Sequence, residues 1–532
     1  MNDEMMQGLS GGMTRRRFIN RLGAIGGSAL VMAGMDAFGM GIASAMAAPP
    51  PLQGGGKGKR VVILGAGVAG LTSAYELTRA GYTVEVIEAR SFAGGRAQTA
   101  RKGFELTELG GERQVCTFDD GLYINHGPWR IPFHHDSTLH YTREFGVELE
   151  LFNNDNDNSY IYFEKGSGPL AGKAIRKMEI AADMRGYADE MLAKAVQGNK
   201  LDTPMNAADR EQFIAYLVDE GYLNKKDLTY TTSEGRGWIE EPGAGLQAGT
   251  PSKPHSLLDV LHSGGWRTLR SVAGWEQQRT MFQPKGGMYM IPMGFAKKVG
   301  HLIRYSTVVE QIRNTAKGVE VQVVDGRGQR RTVAGDYCIC TIPLSVLKTI
   351  DNGLSPVMKT AMNGISYAPV GKIGLQMKDR FWETQHRIYG GHVYTDDPNI
   401  NTMSLPSTGW QGQKGVILGY YNFGAQAAKV SALSPADRAR LATAAGQKIF
   451  PEYQAAYESS FSVGWHRVQY NLGGWGVWSE EARARDYPVL LKPDGRIFLA
   501  GEHLSHIGGW QAGGIESAWM QIAALHAMAS RA

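Results

Sequence analysis

The chain has 532 residues, 43% of them apolar, with 56 basic and 51 acidic side chains and a net charge of +5. That is enough apolar material for two packed domains. Charge near balance, with no basic run beyond the N-terminal leader, excludes a surface built for nucleic acid, and three cysteines exclude a disulfide framework.

The leader comes first. Thr14-Arg15-Arg16-Arg17-Phe18-Ile19 fits the twin-arginine export pattern, and residues 22–47 are Gly- and Ala-rich, mildly apolar and interrupted by Asp36. Such a stretch is too weakly apolar for a stable membrane span. Ala45-Met46-Ala47 offers a small-residue cleavage site. Residues 1–47 are therefore expected to be a signal peptide and 48–58 (PPPLQGGGKG within it) a flexible linker. The expected location is periplasmic or secreted, with no stable membrane span after cleavage.

Residues 61–64 (VVIL) form a continuous apolar run, as a buried parallel strand does. Gly65, Gly67 and Gly70 follow at GxGxxG spacing, with Ala69 inside it. The first glycine makes a tight turn, the second admits a pyrophosphate to the backbone, and the third lets the following helix approach the strand. Residues 71–80 have helical periodicity, so the helix N-terminus faces the phosphates. Residues 83–88 read as a second strand ending in Glu88, placed to accept from a ribose hydroxyl and to repel a 2′-phosphate. Ala89 and Arg90 continue this cradle. Gly94-Gly95-Arg96 follows, and it resembles the GGR segment with which flavoproteins add a second pyrophosphate contact, a place suited to the planar guanidinium of Arg96.

The middle of the chain carries less chemistry. Residues 153–158 (NNDNDN) lack the Gly and Glu of a calcium loop and read as a polar turn. His126, His134, His135 and His140 lie close in sequence, but no carboxylate or cysteine completes a recognisable spacing, so no metal site is expected. Helical periodicity with charged faces runs over residues 175–195 and 207–221, within a helical insertion at 172–245. Gln283-Pro284-Lys285-Gly286-Gly287-Met288 marks a return to the nucleotide domain. Residues 306–312 read as a strand with the Val309 backbone against an adenine, and 336–343 (DYCICTIP) as another buried strand.

The C-terminal segment 495–519 (GRIFLAGEHLSHIGGWQAGGIESAW) completes the pattern. Together with 61–96 it resembles the flavin amine oxidase family. Residues 123–135 (YINHGPWRIPFHH), 371–383 (GKIGLQMKDRFWE) and 501–517 (GEHLSHIGGWQAGGIES) carry a closer resemblance to the bacterial FAD-dependent L-amino-acid oxidases. The resemblance covers about residues 58–530. It implies an α/β fold in which a Rossmann-like FAD-binding domain (59–120, 281–345, 485–532) interleaves with a mixed-sheet substrate domain (121–280, 346–484). It also implies FAD as cofactor, with Gly127, Trp129, Arg130, Gly501, Glu502, Gly509 and Trp510 joining the residues above in the cofactor site. By the same resemblance Arg130 clamps the substrate carboxylate, Lys372 holds a water near flavin N5, and Trp475 and Trp510 confine the substrate over the ring.

Relatives of this kind commonly place a carboxylate-binding tyrosine in the strand that here reads Met403-Ser404-Leu405-Pro406-Ser407. Its absence leaves Ser407, Ser404 or Tyr389 as substitutes. The reaction implied is oxidation of an L-amino acid by hydride transfer from Cα to flavin N5. It yields a 2-oxo acid and ammonium, with oxygen reduced to hydrogen peroxide. An amine or polyamine oxidase, an amino-acid 2-monooxygenase, and a dehydrogenase using another acceptor are the alternatives. A homodimer is expected by analogy with relatives.

Overall fold

The computed structural model describes residues 48–531, apart from 55, 232, 233 and 271–273. The twin-arginine leader expected over residues 1–47 lies outside the described residues. Among the described residues no helix is long and apolar enough to cross a membrane.

Two sheets organise the molecule. The first has five parallel strands in the order Ile303–Arg304, Thr83–Ile87, Arg60–Leu64, Tyr337–Cys340, Ile497–Leu499. Residues separated by more than 400 positions thus share one sheet. Its strands are almost wholly buried because helices cover them, which is why they read as apolar runs rather than alternating patterns. The helix Val68–Arg79 crosses from the first strand to the second and packs against the C-terminal helix Gln511–Ala529. A Cβ on Gly70 would lie 1.9 Å from the Gly65 carbonyl oxygen, so only glycine lets this helix start so close to the strand. Gly65 itself has φ +100°, a conformation costly for any other residue. The core here joins Val61, Ile63, Leu71, Phe295, Ile339, Trp519 and Ile522; each such side chain, fully buried, contributes about 1.5–3 kcal/mol relative to exposure.

The second sheet has seven strands, ordered Tyr457–Gly464, Val370–Met377, Gly415–Phe423, Thr402–Leu405, Gly391–Thr395, Tyr160–Tyr162, Ala174–Arg176. It is mixed, with one parallel pair between Gly391–Thr395 and Tyr160–Tyr162. Val370–Met377 is buried along its whole length, so Lys372 is carried into the interior by its neighbours. A four-stranded sheet (Arg330–Gly335, Val319–Asp325, Thr307–Asn314, Asp351–Asn352) flanks the parallel sheet. The expected strand at 306–312 is the start of Thr307–Asn314, and that at 336–343 is Tyr337–Cys340.

The stretch expected as a helical insertion contains Lys177–Gln197 and Ala207–Glu220, the latter started by an Asn206–Asp209 capping box. The polar turn at 153–158 serves as an anchor: the buried Lys177 ammonium pairs with Asp155, and Arg279 reaches Asp157 at 2.9 Å. All three cysteines are buried and free.

Candidate active site

A cavity of about 480 Å³ opens at the C-terminal ends of the parallel strands and runs to the Lys372 strand of the mixed sheet. Open α/β sheets bind ligands at this edge. Gly65, Gly67, Ala69, Glu88, Ala89, Arg90, Gly95, Arg96, Gly127, Val309, Gly501, Glu502, Gly509 and Trp510 all line it, as do Lys372 and Trp475. Gly70 sits behind the wall, where it admits the helix. Of the Gly127–Arg130 stretch, Gly127 and Pro128 line the cavity, whereas Trp129 and Arg130 lie beyond its lining.

At the nucleotide end the Glu88 carboxylate accepts the backbone N–H groups of Ala66 at 2.7 Å and Arg90 at 2.9 Å. Burial pushes its pKa up, while these two donors oppose the shift. Arg90 donates to the carbonyls of Gly95 at 3.1 Å and Gln469 at 3.0 Å, and also to the Asn471 side chain. It thereby ties the Gly94–Arg96 loop to the segment 469–471. Arg96 Nη1 donates to Glu502 at 2.7 Å and to the Gly474 carbonyl at 2.8 Å. Glu502 in turn accepts the N–H of Gly476 at 3.1 Å and of Gly509 at 3.3 Å. One carboxylate therefore holds both glycine-rich segments that present Trp475 and Trp510. A Cβ on Gly509 would sit 3.4 Å from the Trp475 ring, so the ring lies against bare backbone.

Lys372 is 1% exposed, and its ammonium nitrogen donates to the carbonyls of Asn125 at 3.2 Å and Gly127. It stands over the Tyr421 ring at 4.3 Å and the Trp129 ring at 5.2 Å. Burial, reinforced by the Arg130 charge, holds its pKa well below the usual 10.5.

Arg130 lies between the faces of Trp129 and Trp510, at 5.6 and 5.8 Å from their centroids. Nη2 donates to Gln277 at 2.7 Å, and the buried Nε has no hydrogen-bond partner among the described residues. Among the described residues no carboxylate pairs with this guanidinium. Burial lowers its pKa, opposed only by Tyr421 and Tyr394.

Tyr421 also lines the cavity and stands opposite Lys372 in the strand register. No local pattern marks it, because its place depends on which strands pair. The substitutes expected for a missing tyrosine lie elsewhere. The Ser407 hydroxyl accepts the Asn153 N–H at 3.0 Å, Ser404 contacts His392 at 3.0 Å, and Tyr389 is exposed. None of the three lines the cavity.

Residues 68–524 match the family described as flavin containing amine oxidoreductase, and the chain belongs to that family. Its relatives include YobN of Bacillus subtilis (strain 168), 27% identical over 86% of this chain and 93% of that protein. Another is the L-amino-acid oxidase BjussuLAAO-I of Bothrops jararacussu, 27% identical over 86% of this chain and 88% of that one. Among solved structures, cyclohexylamine oxidase from Brevibacterium oxydans IH-35A matches with a TM-score of 0.59 at 16% identity, covering 88% of this chain and 99% of that one. Putrescine oxidase bound to putrescine matches at 0.57 and 15%, with the same coverage. The chain is thus a flavin-dependent oxidoreductase with an amine-oxidase fold.

Proposed function

We propose that this chain is an exported FAD-dependent L-amino-acid oxidase. The observation that carries the reading is Arg130, a guanidinium set between two tryptophans beside the cavity with no carboxylate partner among the described residues. Leaving such a cation uncompensated costs about 3–5 kcal/mol, which a substrate carboxylate offsets and a simple amine does not. A planar carboxylate also matches the planar fork in two charge-assisted bonds. Tyr421, which lines the cavity within electrostatic reach of Arg130, replaces the tyrosine missing from residues 403–407 as the second carboxylate donor.

The donor set fits FAD. Gly67 and the start of the helix Val68–Arg79 offer backbone N–H groups to a pyrophosphate, while the Gly65 N–H stays in the sheet on the Ile87 carbonyl at 2.8 Å. Glu88 stands where a ribose hydroxyl needs an acceptor, Arg96 and Arg90 supply positive charge, and Val309 flanks the adenine end. The bound flavin supplies a two-electron acceptor that the side chains lack. The chain does the rest: Arg130 and Tyr421 orient the substrate through its carboxylate, and Trp475 and Trp510 confine its amine end and exclude bulk water. Lys372 holds a water beside the flavin for hydrolysis of the imino acid. The products are a 2-oxo acid, ammonium and hydrogen peroxide.

Peroxide release from L-phenylalanine and from phenethylamine, its decarboxylated twin, tests the reading. Turnover of the amino acid alone, with KM raised more than a hundredfold in Arg130→Met, is expected. Turnover of phenethylamine alone, unaffected by that change, would make the chain an amine oxidase instead. Export rests on the Thr14–Ile19 pattern, and periplasmic recovery lost in a double Arg15→Lys, Arg16→Lys variant is its check. Dimerisation belongs to the same reading, and size-exclusion chromatography checks it.

A further inference from the structure

The histidines that lacked a carboxylate in the sequence gain one in the fold. His134 and His135 precede the helix Asp136–Glu144, and Glu276 arrives from a segment about 140 positions further on. One ligand atom from each of the three lies within 4.8 Å of the others. The two rings stand nearly perpendicular, at 82° with centroids 4.8 Å apart. His135 is 2% exposed, and its Nε2 is buried with no hydrogen-bond partner; His134 Nδ1 is likewise buried and unpartnered among the described residues. Buried imidazole nitrogens normally find a donor or acceptor. Unpartnered ring nitrogens on two histidines that each bring a ligand atom within 4.8 Å of a Glu276 oxygen point to a ligand.

We propose that His134, His135 and Glu276 form a binding site for a divalent ion of the zinc type, completed by water. Two imidazole nitrogens and one carboxylate suit zinc, nickel or copper and disfavour magnesium and calcium, which take oxygen ligands. Metal–ligand bonds of about 2.0–2.1 Å bring tetrahedral ligand atoms to about 3.3 Å from one another. Glu276 is exposed and free to close that gap. Trp510 Nε1 donates to Glu276 Oε2 at 3.3 Å, a partner that orients the carboxylate from outside the ligand set. The neighbouring Gln277 is the residue bonded to Arg130. An ion here fastens this segment across the edge of the substrate site, where Trp510 and Arg130 meet.

Calorimetric titration of the tag-free, FAD-loaded enzyme with zinc chloride tests the site directly, whether or not substrate turns over. One zinc per chain is expected. Affinity should fall at least tenfold in Glu276→Gln and in His134→Ala, and magnesium chloride should give no binding heat. Because Glu276 is exposed, Glu276→Gln does not threaten the fold. No zinc uptake by the unmodified enzyme, or the same affinity in Glu276→Gln, would overturn the proposal.

Discussion

Arg96 and Glu502, 406 positions apart, meet at 2.7 Å on the floor of the cavity. Arg96 comes from the loop after the first crossover and Glu502 from the segment after the last parallel strand. Glu502 also accepts from Gly476 and Gly509, so the pair joins the nucleotide cradle to both tryptophan-bearing segments. Glu502→Gln keeps the shape and removes the charge. Arg96 is then left facing the cavity without its partner, and the Gly476 and Gly509 loops loosen. Flavin affinity should fall at least tenfold, read by titrating FAD into the apoprotein and following quenching of its fluorescence.

The mixed sheet depends on a second pair. Arg438 and Glu108 are 2% and 3% exposed and bonded through both oxygens, at 2.8 and 2.6 Å. Glu108 also accepts the Gly464 N–H at 2.6 Å. Arg438→Met strips Glu108 of its two-pronged partner, leaving only Arg467 at 3.6 Å, and should cost about 3 kcal/mol. Thermal melts should show a clear fall, while Arg440→Ala, which breaks an exposed pair with Asp437 on the same helix, should leave the melting temperature unchanged.

How far the site can be read in advance depends on where its demands fall in the chain. Gly65, Gly67 and Gly70 are legible because a turn and a helix–strand approach require them within six residues. Arg96, Lys372, Trp475 and Trp510 are legible because each sits in a short segment that resembles the family's. Tyr421 is not, since it matters only through its register opposite Lys372. Gln277 and Glu276 belong to a stretch without periodicity, and only folding brings them to Arg130 and His135. Ser407 looked available as a donor because nothing in the sequence says that the Asn153 backbone will take its hydroxyl.

Tyr421 can be separated from its neighbours by a single oxygen. Tyr421→Phe keeps the ring beneath Lys372 and the contact with Phe423 at 4.4 Å. It removes only the hydroxyl that lies within electrostatic reach of Arg130. A hydrogen bond to a charged group is worth about 1.5–3 kcal/mol. KM for L-phenylalanine should therefore rise about tenfold or more while the flavin spectrum stays unchanged. An unaltered KM would leave Arg130 as the sole carboxylate donor.

Lys372 makes the sharpest statement about pH. Its folded-state pKa lies well below the 10.5 of an unfolded chain, from burial first and the Arg130 charge second. Between those two values the unfolded state binds more protons than the folded one, so stability rises with pH across that window. Below the folded value the penalty is present in full, and above 10.5 it is gone. Lys372→Met lacks this contribution, because methionine does not titrate. The stability of the unmodified protein relative to Lys372→Met should therefore climb as pH is raised from 7 toward 10. Urea unfolding of both proteins at pH 7, 8.5 and 10 measures it. A difference that stays flat would mean that the two carbonyl acceptors hold Lys372 protonated as in water.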